Sequence, residues 1–88
     1  MGVHQVAGAK ESRVSQIVPL EFLRAGDAGE VIDVLGNEGL VARLAEKGLR
    51  KGSRLEALQP GDPFLLRVDE TRLSLRTDGK VDVMVRLD

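Results

Sequence analysis

The last third of the chain carries its apolar residues on alternate positions. Val81, Val83, Val85 and Leu87 alternate with Asp82, Met84, Arg86 and Asp88, the cleanest pattern in the sequence. Phe64, Leu66 and Val68 alternate in the same way with Leu65, Arg67 and Asp69, and Leu73 and Leu75 with Arg72, Ser74 and Arg76. A period of two sends successive side chains to opposite faces of a strand, one for a core and one for water. Ser53 to Leu58 supplies a further strand, entered through Lys51-Gly52. Gly61-Asp62-Pro63 then marks the next turn.

Upstream, the period differs. Ala28 to Leu35 is a β-branched run suited to a strand, and Gly36 ends it. Asn37 is placed to cap a helix running from Glu38 to Lys47, with Leu40, Val41 and Leu44 on one face and Ala45 beside them. Gly48 followed by Leu49 has the form of a Schellman ending. Before the first strand, Pro19 suits the first turn of a short helical segment in which Leu20 and Leu23 face one way and Gly26 stops the turn. Phe22 and Phe64 are assigned to the core. Residues 1–17 are small, polar and without period, and are expected to form a flexible N-terminal extension to a domain over 18–88. At 88 residues there is one core. Five short strands with one principal helix must curl to bury their apolar faces. The expectation is therefore a mainly β fold, a small, partly open barrel with the helix plugging one side.

Several chemistries are excluded. The chain has no cysteine, so it offers no disulfide framework, thiolate metal site or thiol nucleophile. Ser12, Ser15, Ser53 and Ser74 have no histidine base in the ordered domain, and no enzyme is expected. Thirteen basic and fourteen acidic side chains leave no global field to steer the chain to nucleic acid or anionic lipid. The longest uninterrupted apolar runs are three residues, so neither membrane insertion nor a secretory signal is expected, and a cytoplasmic location is. His4, the single histidine, lies in Gly2-Val3-His4, a sequence able to wrap copper or nickel if Met1 is removed; an inert tail residue is the plainer reading. Asp27, Glu30 and Asp33, and likewise Asp78, Asp82 and Asp88, lack the close spacing of a calcium loop. Gly36-Asn37-Glu38-Gly39 has the GxxG form of a nucleic-acid clamp, but it follows a strand and carries an acid, which fits a turn and helix cap. Lys47, Arg50, Lys51 and Arg54 form the one local basic cluster. They complement the dipole at a helix C-terminus, and they are also the candidate docking patch for an acidic protein surface.

An ordered series of short signatures runs through the domain. It begins with Leu20-x-x-Leu23-x-x-Gly26-Asp27-x-Gly29 and Val31-Ile32-x-Val34. It continues with Arg43-Leu44-x-Glu46-x-Gly48-Leu49-x-x-Gly52-x-x-Leu55, Gly61-Asp62-Pro63, Leu73-x-Leu75-Arg76 and Asp82-Val83-x-Val85. From Pro19 to Leu87 this series resembles the FeoA family, the small SH3-like proteins of bacterial ferrous iron transport. Two departures fall in turns: Asp69-Glu70-Thr71 where the family commonly has a glycine, and Asp78-Gly79 where it often has Glu-Ala. The resemblance implies an SH3-like barrel and a non-catalytic, cytoplasmic accessory or regulatory role in iron homeostasis. Its implied partner is the cytoplasmic part of the ferrous iron permease FeoB. It associates the family with transition metal ions, but assigns no metal ligand or cofactor to this chain. A monomer or weak homodimer is expected, and open strand edges offer β-augmentation to partners. The rival expectations are a nucleic-acid-binding barrel and a carboxylate metal sensor.

Overall fold

The computed structural model describes residues 16–76 and 78–88. The Gly2-Val3-His4 motif, Ser12, Ser15 and the expected extension up to residue 15 lie outside these residues. Among the described residues, six antiparallel strands form one sheet: β1 (Ile17–Pro19), β2 (Ala28–Gly36), β3 (Arg54–Gln59), β4 (Phe64–Val68), β5 (Thr71–Leu75) and β6 (Val81–Leu87). Their spatial order is β1-β6-β2-β3-β4-β5, so the sheet curls without closing. The expected strands are present, and to the expected count of about five the structure adds the short β1, which pairs Ile17 with Arg86 and Val18 with Val85. Three residues ending in proline carry no readable alternation, and only the long partner β6 makes them a strand.

Strand β2 organises the curl. Along its length it pairs with β6, while Ala28, Gly29 and Glu30 also face Glu56, Leu55 and Arg54 of β3. Register shifts at Ile32 in β2 and at Leu58 in β3 act as bulges, which bend a strand and increase its twist. The apolar half of each alternation then turns inward. Leu55 and Ala57, Phe64, Leu66 and Val68, Leu73 and Leu75, and Val81, Val83 and Val85 are all buried. No polar or charged side chain among the described residues is buried with them.

One α-helix, α1 (Glu38–Glu46), covers the curl among the described residues, contributing Leu44 to the core and half-burying Leu40 and Val41. Asn37 caps it, its side chain accepting a hydrogen bond from the Leu40 amide at 3.0 Å. At the other end the Gly48 amide donates to the Ala45 carbonyl and the Leu49 amide to the Leu44 carbonyl, at 3.0 and 2.9 Å. These are the two bonds of a Schellman motif, and Gly48 takes the positive φ of 101° that the motif demands. Leu49 is thereby driven fully into the core.

A 3-10 turn over Leu20–Phe22 follows β1. In such a turn residues three apart lie on the same side, so Leu20 and Leu23 are both buried. The assignment of Phe22 to the core is corrected by the same geometry: between those two leucines it points outward and is 68% exposed. Strand β3 starts at Arg54 and not at Ser53, because the Ser53 hydroxyl is engaged by the preceding turn, donating to the Gly48 carbonyl and accepting from the Arg50 amide.

Candidate docking surface

The helix ending positions the basic cluster. Lys47 is the C-cap residue of α1, Arg50 and Lys51 follow the Schellman turn, and Arg54 opens β3; all four are exposed. The Arg50 guanidinium reaches back to the Ala45 carbonyl at 3.3 Å, a cation placed on the negative end of the helix dipole. The turn is locked from below. Gly52 donates to the Val31 carbonyl at 2.8 Å and Ser53 to the Arg50 carbonyl at 2.9 Å, which ties the cluster to the middle of β2.

Arg50, Lys51, Gly52, Ser53, Arg54 and Asp69 line a shallow depression of about 290 Å³. Lys47 stands outside it, at the end of the helix. The four cations are not equivalent. Arg54 forms an ion pair with Asp88, whose hydrogen bond and then whose charge hold its guanidinium above the ordinary pKa. Lys47 and Lys51 have no carboxylate within bridging distance among the described residues. Sequence reasoning missed Asp69 and Asp88 as members of this surface. They arrive from the β4–β5 turn and from the chain end, through sheet pairing that no local signal encodes.

The other residues of the family-like series hold the frame. Gly29 is buried where β2 crosses β6 so closely that a Cβ would strike the Arg86 carbonyl and the Val85 side chain. Gly26 donates to the Ala57 carbonyl at 2.8 Å, fastening the first turn to β3. Gly61, Asp62, Leu20 and Leu75 line a second cavity of about 320 Å³ with Phe64, Glu21, Asp78 and Gly79. Pro63 continues the same turn, and Arg76 is exposed directly after β5.

The candidate carboxylates are dispersed. Asp27 accepts from the Arg24 amide at 2.8 Å, Asp33 from the Val34 amide at 3.0 Å, and Glu30 lies 3.7 Å from Arg86. Among the described residues no group of three or more histidine, cysteine or acidic side chains could hold a metal ion. No helix among them is long and apolar enough to cross a membrane. Gly36 and Gly39 of the GxxG sequence flank the helix cap made by Asn37.

Comparison with known proteins agrees with this architecture. Residues 18–87 match the family model described as the FeoA domain. A crystal structure of an iron uptake regulatory protein (FeoA) superposes with a TM-score of 0.72 at 28% identity, over 83% of this chain and all of that one. The solution structure of a FeoA protein from Chlorobium tepidum gives 0.72 at 30% identity, over 80% of this chain and 70% of that one. A manganese-dependent transcriptional repressor shares the fold, with a TM-score of 0.72 at 20% identity over 82% of this chain and 42% of its own. No curated protein matches significantly. The family match covers the curled sheet from Val18 onward, its helix and the basic turn that follows the helix, and the chain accordingly belongs to the FeoA family, which serves ferrous iron transport.

Proposed function

We propose that this protein is a non-catalytic, cytoplasmic accessory module of ferrous iron uptake that docks on the cytoplasmic part of the FeoB permease. The observation that carries the reading is the meeting of Arg50, Lys51 and Arg54 around one depression, with Lys47 beside it, on a domain of the FeoA family. Such a surface suits carboxylates on a partner. Lys47 and Lys51 contribute charge that no described carboxylate pairs, Arg50 is pre-positioned by the helix end, and Arg54 is shared with Asp88. The non-catalytic part of the reading is supported by Ser53, whose hydroxyl is committed to the turn and has no base beside it. Iron is the cargo of the partner in this account, not a ligand of this chain.

The test is a binding titration between the purified chain and the cytoplasmic domain of the permease. Exposed ion pairs contribute about 0.2–1 kcal/mol each and are screened beyond about 10 Å at 0.1 M salt. Reversal of Lys47, Arg50 and Lys51 to glutamate is therefore expected to weaken binding by about tenfold or more. Affinity should fall with added salt in the parent protein and much less in the variant. Unchanged affinity after the three reversals rejects the patch. No binding by the parent protein rejects the partner.

A further inference from the structure

Among the described residues, strand β5 lies at an edge of the unclosed sheet and has β4 as its one strand neighbour. The β4–β5 hairpin turns through Asp69 and Glu70, and Val68 faces Thr71 across it. A two-residue turn makes that closing pair the hydrogen-bonded one, and pairs then alternate along the hairpin. Thr71, Leu73 and Leu75 thus spend their amides and carbonyls on β4, while those of Arg72 and Ser74 point outward from the sheet edge. No other strand among the described residues occupies this ladder.

The side chains along that ladder are arginine, serine and arginine. Arg72 and Ser74 are exposed on the outer face, and Arg76 follows at the next alternate position. Arg72 stands directly opposite Arg67 in a pair that does not exchange backbone hydrogen bonds, the kind that brings side chains closest. Like charges facing each other across a sheet are destabilising. Arg67 is relieved by Glu56 at 2.8 Å. Arg72 and Arg76 have no carboxylate within bridging distance among the described residues. On the inner side, Leu75 lines the cavity of about 320 Å³ with Leu20 and Phe64, and Glu21, Asp62 and Asp78 stand at the same cavity.

We propose that the edge of β5 receives an extended segment of a protein partner, added antiparallel or parallel as a further strand. This rests on the reading of the chain as a protein-docking module and adds to it a second surface. The occupant is amphipathic, with carboxylates four residues apart on the outer face to meet Arg72 and Arg76. Apolar side chains lie on the inner face, where the acids around the cavity reject a further carboxylate. Backbone bonds to Arg72 and Ser74 supply affinity, and the arginines select the sign of the charge. The opposite edge, β1, suits this poorly, because it is three residues long and ends in Pro19, which has no amide hydrogen to donate.

The probe is a synthetic peptide of alternating glutamate and valine, titrated into the isotope-labelled chain beside its lysine–valine counterpart. The acidic peptide is expected to shift the Arg72 and Ser74 amide signals and to slow their hydrogen exchange. The double variant R72E/R76E, checked for an unchanged core spectrum, should bind it about tenfold more weakly. Absence of shifts at those amides, equal response to the lysine peptide, or full binding by the double variant each overturns the proposal. In the last case the arginines act only as guards against edge-to-edge aggregation. If the peptide fails while the permease domain still binds through Lys47, Arg50 and Lys51, the edge proposal falls and the family function stands.

Discussion

Gly29 shows how a single missing Cβ fixes the geometry of this sheet. At that position β2 approaches β6 so closely that an added methyl would enter the backbone oxygen of Arg86 and crowd Val85. Backbone cannot yield as a flexible side chain can, so Gly29→Ala should destabilise by about 1–3 kcal/mol in chemical unfolding. At the docking surface, Asp88 has the opposite kind of influence. It ties Arg54 to the chain end and withdraws part of one positive charge from the patch. Asp88→Asn should therefore cost at most about 1 kcal/mol of stability and tighten permease binding about two- to fivefold, as read by calorimetric titration. Weaker binding in that variant would remove Arg54 from the docking surface.

The helix ending is the element on which the basic cluster depends. Asn37→Ala should cost about 1 kcal/mol, since one amide of the first turn loses its acceptor. Gly48→Ala should cost about 1–2 kcal/mol, because an L side chain is strained at a φ of 101°. The second substitution should also broaden the amide signals of Arg50 and Lys51, which follow the turn, whereas the first should not. By contrast, Phe22→Ser should change stability by no more than about 0.5 kcal/mol, because that residue is already 68% exposed. Loss of several kcal/mol there would place Phe22 in the core after all. Helix caps of this kind are legible in a sequence because Asn37, Gly48 and Leu49 act on neighbours a few residues away. The strands β3 to β6 are legible for a similar reason, their burial being written as alternation, and β2 is legible through its β-branched run. Strand β1 and the outward turn of Phe22 are not. Pairing with β6 creates the first, and the three-residue period of a 3-10 turn decides the second.

At the scale of the whole molecule, the fold sorts charge that the sequence merely interleaves. The near-neutral total of −1 conceals a basic end beside the helix, a cavity bordered by Glu21, Asp62 and Asp78, and an arginine-lined sheet edge. The basic end was readable because its four cations lie within eight consecutive residues, Lys47 to Arg54. Its acidic neighbours were not, since Asp69, which lines the depression, and Asp88, which pairs with Arg54, are brought there only by the curl of the sheet. The account as a whole requires that this family member works by contact with another protein. The direct measurement is an isotope-edited spectrum of the chain during titration with the cytoplasmic domain of the permease, at low and at elevated salt. Shifts concentrated at Lys47, Arg50 and Lys51, with affinity reduced by salt, are predicted. A spectrum unchanged by excess permease domain at low salt would contradict the account.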